Sequence, residues 1–141
     1  PVDLVAAVRA AVERAGEGPA AQVTAMPAQV GASTGEVDLV LDNLLDNARR
    51  HARSVVRISV LPAGRWVRLV VEDDGPGIPA ADRQRVFDRF LRLAPDAGAG
   101  SGAGLGLALV AALVRGRGGS VTAGAAPCGG ARLEVLWPTP P

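Results

Sequence analysis

The sequence predicts an α/β (α+β) two-layer sandwich, in which a mixed, mostly antiparallel sheet has helices packed on one face. Two segments, 3–15 and 37–52, carry apolar residues at helical spacing, which is typical of helices with one buried face. Two others, 55–73 and 120–137, each consist of two apolar runs around a short turn, which indicates antiparallel hairpins. The length of 141 residues, 48% of them hydrophobic, suits one domain with a buried core.

The first predicted helix covers residues 3–15, with Asp3 as its expected N-cap and Gly16 as its expected stop. Its apolar residues define one face. Residues 17–32 are rich in Gly, Ala and Pro around the short stretch 22–26, which predicts a strand between two loops.

The second predicted helix begins at Ser-Thr-Gly-Glu, residues 33–36, which predicts a capping box. In that arrangement Ser33 accepts a hydrogen bond from the Glu36 amide, and Glu36 reaches back to the helix start. At about 100° per residue, the apolar residues that follow fall in one sector and predict the buried face. They are Val37, Val40, Leu41, Leu44, Leu45 and Ala48.

Four polar residues share the border between the buried and solvent faces of this helix: Asn43, Asn47, Arg50 and His51. Asparagine is a poor helix former, so two of them one turn apart suggest a ligand. An amide oxygen suits Mg²⁺, and an Arg further along the same stripe is placed to meet phosphate. The alternative is a pair of surface amides before a solvated helix end that the macrodipole favours.

The hairpin predicted from strands 55–61 and 66–73 ends in a carboxylate. Asp73 continues the inward-facing apolar row of the second strand. A buried carboxylate is costly unless it is hydrogen-bonded, and it suits the exocyclic amino group of a base. Gly75 and Gly77 allow the backbone to approach a flat ligand closely. The alternative is a strand-end Asp that opens an ordinary Asp-Gly turn.

The rest of the chain predicts a short helix from Pro79 to about Phe87, a glycine-dense loop over 93–106, a helix over 105–115 and a hairpin of 120–125 with 131–137. A glycine-rich loop that runs into a helix exposes amides to anionic oxygens, although a flexible linker is the alternative. The loop lacks the G-x-G-x-x-G register and the preceding strand of a dinucleotide fingerprint.

Composition excludes several classes of function. The formal net charge is +1, with basic and acidic residues scattered along the chain, so no nucleic acid is expected as a partner. All 15 basic residues are Arg, which excludes a P-loop lysine and Schiff-base chemistry. Cys128 is the single cysteine, so it forms no internal disulfide. The longest apolar run, 105–114, is shorter than the roughly 20 residues that cross a bilayer, so we expect a soluble segment.

Four motifs occur in the order LDNLLDNARRHA (41–52), VEDDGPGIP (71–79), RVFDRFLR (85–92) and GSGAGLGLALV (100–110). In this order they resemble the N, G1, F and G2 boxes of the catalytic ATP-binding domain of bacterial sensor histidine kinases, in the GHKL superfamily with its Bergerat fold. The order and spacing of four boxes is more specific than any one of them. The resemblance implies a single domain over 1–141 with a flexible Gly-rich ATP lid. The implied positions are N box 41–52, G1 box 71–79, F box 85–92, lid 88–103 and G2 box 100–107.

The resemblance also implies roles for the matching residues. Asn47 matches the family's Mg²⁺-chelating asparagine, Arg50 its phosphate-contacting basic residue, and His51 the neighbouring aromatic or imidazole position. Asp73 matches the adenine-recognising aspartate, and Arg92 matches an arginine that reaches the terminal phosphate in many members. The other matching nucleotide-binding positions are Gly75, Gly77, Ile78, Gly102, Gly104, Leu105 and Gly106.

Asn43 stands where the ATP-hydrolysing members of the superfamily carry a glutamate that activates water, so the resemblance implies phosphoryl transfer to another group. Ala103 stands where the family often has Thr or Ser, which removes one hydroxyl contact with phosphate. His51 is the only histidine and lies in the N box, so the phosphoacceptor belongs to another domain. The residues expected to serve catalysis are Asn43, Asn47, Arg50 and Arg92.

The implied function is binding of ATP and Mg²⁺ and transfer of the γ-phosphoryl group to a histidine of a separate dimerisation and phosphoacceptor domain. A response regulator would then take the group. We expect the isolated domain to be monomeric and cytoplasmic, in a parent that belongs to a family with many membrane-spanning members. Two alternatives stay open. The F box and long lid argue against an anti-sigma-factor-type serine kinase, and the presence of all boxes argues against a non-catalytic nucleotide-binding interaction module.

Overall fold

A computed structural model describes residues 1–88 and 106–141. The helices within these ranges are α1 (Leu4–Ala15), α2 (Thr34–His51) and α3 (Gly106–Gly116). The strands are β1 (Val2–Asp3), β2 (Ala20–Ala25), β3 (Gln29–Val30), β4 (Val55–Ala63), β5 (Trp66–Asp73), β6 (Ser120–Ala125) and β7 (Ala131–Pro138). None of these helices is both long and apolar enough to cross a membrane.

The main sheet is mixed and has five strands in the order β2, β4, β5, β7, β6. β2 runs parallel to β4, and every other neighbouring pair is antiparallel. The two predicted hairpins, β4–β5 and β6–β7, are adjacent because β5 pairs with β7. α2 and α3 pack against the sheet, while α1 packs against α2. The predicted α/β (α+β) sandwich is therefore confirmed.

The core lies between the sheet and the helices. The buried apolar residues of α2 are those predicted from helical spacing, and the inward row of β5 is buried as expected through Asp73. Val70, which alternation places on the outer face, is also buried, because it lies in the central strand between β4 and β7.

Of the two hydrogen bonds predicted for the capping box of α2, one forms. Ser33 Oγ accepts a hydrogen bond from the Glu36 N–H at 3.2 Å. The Glu36 carboxylate does not reach back to the backbone; it accepts from the Ser33 hydroxyl at 2.9 Å and from the Arg117 guanidinium. Arg117 follows α3, so this ion pair ties the end of α3 to the start of α2.

Two other local predictions differ from the structure, and one short strand pair was not predicted. The helix predicted over 79–87 is two single 3₁₀ turns, Ala80–Asp82 and Arg85–Phe87, because so short a segment gains few helical hydrogen bonds and its path follows the burial of Val86 and Phe87. β2 covers Ala20–Ala25 rather than 22–26. The short antiparallel pair of β1 with β3 was not predicted, since two residues carry no periodicity.

The ion pair of Glu36 with Arg117 predicts a pH-dependent stability. Hydrogen bonds from Arg117 and Ser33 lower the pKa of Glu36 from its usual 4.5 to about 2. Because the folded state has the lower pKa, the stabilisation is present above pH 4.5 and is lost as the pH falls towards about 2. We expect Glu36→Gln to lower the thermal unfolding midpoint by about 2 °C near neutral pH.

The gap between wild type and Glu36→Gln should close as the pH falls from 4.5 to about 2, which differential scanning calorimetry would measure. The matched control is Glu13→Gln, an exposed change on α1 that makes no salt bridge with a described residue. A gap that keeps its size across this pH range would contradict the prediction.

Candidate functional site

Asp73 is the one buried polar or charged side chain in the described part of the chain, with an exposed fraction of 4%. Its Oδ1 atom accepts hydrogen bonds from the backbone N–H groups of Gly75 at 2.8 Å and Ala131 at 3.4 Å. No donor from residues 1–88 or 106–141 binds Oδ2. The carboxylate is therefore anchored through one oxygen and keeps the other as an acceptor for a ligand.

Glycines allow the backbone to approach Asp73 from two sides. A Cβ atom at Gly75 would collide with the carbonyl oxygen of His51, at the end of α2. A Cβ at Gly130, in the turn between β6 and β7, would collide with the carbonyl oxygen of Asp73. Gly77 has a φ of +83°, and a Cβ there would lie 2.6 Å from the carbonyl oxygen of Gly129. The end of α2, the 73–77 loop and the β6–β7 turn thus meet around one carboxylate.

The β6–β7 turn is a part of this site that sequence reasoning missed. It contributes the Ala131 N–H, the close approach of Gly130, and Cys128, whose Sγ lies 3.6 Å from the carbonyl oxygen of Asp73. The Gly-Gly pair before β7 was visible in the sequence, but only the pairing of β5 with β7 brings it to Asp73.

The polar stripe of α2 runs up to this junction. Asn47 is half-buried and makes no side-chain hydrogen bond with a described residue. Arg50 pairs with Asp46, with an Nη2 to Oδ2 distance of 3.2 Å. The side chain of His51 is exposed, and its carbonyl oxygen faces Gly75. Asn47, Arg50 and His51 therefore lie on the last turns of a helix whose end contacts the Asp73 loop.

Asn43 is engaged differently from Asn47. Its Nδ2 donates to the Leu39 carbonyl oxygen at 2.7 Å, within α2. A Cβ atom at Gly106 would lie 2.9 Å from the Oδ1 atom of Asn43. The amide therefore packs against the first residue of α3. The structure thus joins two predicted site residues, Asn43 and Gly106, through a helix–helix contact.

Several predicted positions lie outside the described residues. They are Arg92, Gly102, Ala103, Gly104, Leu105 and the lid beyond residue 88. Ile78 is described and is partly buried against the core.

Asp74, which was not singled out from the sequence, binds the loop after α2. Its carboxylate accepts the backbone N–H groups of Arg53, Ser54 and Val55 at 2.7 to 3.2 Å, together with the Ser54 hydroxyl. The Ser54 bonds and the other amides hold the pKa of Asp74 well below its usual range. The carboxylate is therefore charged wherever the protein is folded near neutral pH.

The described residues of the site offer few ligands for a metal ion. Within 1–88 and 106–141 no group of three or more His, Cys, Asp or Glu side chains is placed to hold one. Asn47 offers one neutral amide oxygen, a ligand type that Mg²⁺ accepts beside phosphate oxygens.

Comparison with known proteins shows the family. Residues 33–141 match the family described as histidine kinase-, DNA gyrase B- and HSP90-like ATPase, and the chain belongs to it. It is 44% identical over 103 residues to the sensor protein RstB of Escherichia coli strain K12, a match that covers 72% of this chain and 24% of RstB. The chain therefore spans about a quarter of that relative's length.

Two solved structures have the same fold. The mycobacterial sensor histidine kinase MprB superposes with a TM-score of 0.86 at 30% identity, over 99% of this chain and 97% of that one. Full-length ShkA in complex with AMPPNP superposes with a TM-score of 0.79 at 28% identity, over 98% of this chain and 30% of ShkA.

The crowding at Gly130 predicts a large effect of one methyl group. Gly130→Ala must push the β6–β7 turn away from Asp73, so we expect a loss of about 2 kcal/mol in the free energy of unfolding. Gly124→Ala is the matched control, because a Cβ there meets nothing within 4 Å. Urea denaturation of both variants would measure the difference, and equal stabilities would contradict the close packing described above.

Proposed function

We propose that this chain, as one domain over 1–141, binds ATP with Mg²⁺ and transfers the γ-phosphoryl group to a histidine of a separate dimerisation and phosphoacceptor domain. The observation that carries the proposal is the buried Asp73, which keeps Oδ2 as an acceptor where the end of α2, the 73–77 loop and the β6–β7 turn meet. Such an acceptor suits the amino group of adenine. Membership of the ATPase family and the AMPPNP bound to ShkA support a nucleotide.

The phosphate end of the nucleotide is proposed to lie along the last turns of α2. Asn47 would supply an amide oxygen to Mg²⁺, and Arg50 would exchange the Asp46 carboxylate for a phosphate oxygen. A single neutral ligand suits an ion that arrives with the phosphates. Bound there, Mg²⁺ would neutralise charge on the phosphates during transfer. Arg92 and the glycines of 102–106 are proposed to contact the same phosphates.

In the proposed reaction, an imidazole nitrogen of the acceptor histidine bonds to the γ-phosphorus. The bond from that phosphorus to the β-phosphate oxygen breaks, and ADP leaves. The chain contributes orientation and charge neutralisation. Asn43 supplies no carboxylate to activate water, and its Nδ2 is held by the Leu39 carbonyl, which supports transfer over hydrolysis.

The name of the relative RstB, a sensor protein, supports a signalling partner. We therefore propose that an aspartate of a response regulator receives the phosphoryl group from the histidine. The domain would act on the cytoplasmic side of its parent kinase, where ATP is supplied.

Two substitutions separate the roles of the nucleotide's two ends. Asp73→Asn replaces one carboxylate oxygen, the proposed acceptor for the adenine amino group, with an amide donor. Asn47→Ala removes the proposed metal ligand. Each should lower autophosphorylation of the parent kinase by about 100-fold or more. Asp73→Asn should also weaken nucleotide binding with and without Mg²⁺, whereas Asn47→Ala should weaken it only with Mg²⁺. Isothermal calorimetry and phosphate incorporation would measure these effects.

Glu13→Gln is the matched control, because this carboxylate-to-amide change falls on the exposed face of α1 and breaks no salt bridge with a described residue. Normal autophosphorylation of either site variant would overturn the assigned roles. Phosphate bound through an acid-stable linkage would indicate the serine-kinase alternative, since phosphohistidine is acid-labile. Failure of the wild-type chain to bind ATP with Mg²⁺ would contradict both kinase functions and would leave only the alternative of a non-catalytic interaction module.

A further inference from the structure

We propose that Asp74 is a positioning residue, which sets the distance between the part of the site that holds the base and the part that holds the phosphates. The inference rests on the proposed function, because it needs one ligand to bridge Asp73 and α2. It concerns a residue to which neither the motif resemblance nor the relatives assign a role.

The contacts of Asp74 all lie in the segment that follows α2. Its carboxylate accepts N–H groups from three consecutive residues, 53–55, and the hydroxyl of Ser54. The next residue, Gly75, lies against the carbonyl oxygen of His51. Two consecutive loop residues therefore hold the end of α2 and the first turn beyond it.

Asp73 itself is held by other groups. It pairs with Val56 in the β4–β5 register, and its Oδ1 atom is bound by the Gly75 and Ala131 amides. The packing of Gly130 fixes its carbonyl oxygen from the other side. Asp73 therefore keeps its place in the sheet if the Asp74 carboxylate is changed.

What the Asp74 carboxylate adds is the position of α2 relative to Asp73. Asn47 and Arg50 lie on the last turns of α2, and that helix leads directly into residues 53–55, which Asp74 holds. Adenosine would contact the Asp73 end only, whereas ATP with Mg²⁺ would have to reach both ends. Loss of the Asp74 contacts should therefore weaken the binding of ATP far more than the binding of adenosine. Asn47 and Arg50 would be misplaced for the phosphates, whereas Asp73 would keep its position.

The test compares the affinities of the 141-residue chain for Mg²⁺-ATP and for adenosine by NMR titration. Asp74→Asn keeps one acceptor oxygen but turns an amide donor towards the Ser54 donors. We expect Mg²⁺-ATP affinity to fall about tenfold and adenosine affinity to change by less than about twofold. Ser54→Ala removes only the hydroxyl donor, and it should lower the ratio of the Mg²⁺-ATP affinity to the adenosine affinity by about threefold. Glu13→Gln, an exposed carboxylate-to-amide change on α1 that breaks no salt bridge with a described residue, is the matched control and should change neither affinity.

A loss of stability alone would lower both affinities of Asp74→Asn together, so the ratio separates positioning from folding. An unchanged ratio in a chain whose wild type binds ATP would overturn the inference and leave the proposed function standing. If Asp74→Asn does not fold, Ser54→Ala decides, and its unchanged ratio would also overturn the inference. A wild-type chain that does not bind ATP would instead overturn the proposed function, and the inference with it.

Discussion

The close approach of three backbone segments to Asp73 is the constraint on which the candidate site depends. The carboxylate ends an apolar row, so it is buried with that row and must find donors in the backbone. The donors come from Gly75 and Ala131, and both segments come near enough only because the facing positions lack side chains. The buried position of this one carboxylate therefore depends on the paths of two loops and on the place where α2 ends.

α2 connects this junction to the rest of the fold. On one side, Asp42 pairs with Arg14 of α1, and the Arg49 guanidinium donates to the carbonyl oxygen of Gly16 at the end of α1. On another side, Glu36 and Asn43 contact the two ends of α3. The helix that carries the proposed phosphate-binding groups is thus fixed by polar contacts with both neighbouring helices as well as by its buried face.

The sequence was sufficient for the parts of the fold that have a clear period. The buried face of α2, the inward row of β5 and both hairpins follow from spacing alone. The pairing of β5 with β7 joins segments far apart in the sequence, so periodicity did not reveal that Gly130 and Ala131 reach Asp73. Asp74 was missed for a related reason. Its neighbour Asp73 was singled out by its place on an inward row, whereas a loop carboxylate has no period, and its partners lie about 20 residues away in sequence.

The pair of Arg50 with Asp46 has an electrostatic consequence for any anion that reaches α2. Asp46 already neutralises Arg50 on the same helix, at 3.2 Å. An incoming phosphate must replace an existing attraction, so its net gain is the difference between two ion pairs. Salt screens both pairs, and their difference responds to ionic strength less than a lone arginine would. The last turns of α2 therefore attract an anion less strongly than a lone arginine would, because the displaced Asp46 carboxylate stays on the same helix beside it.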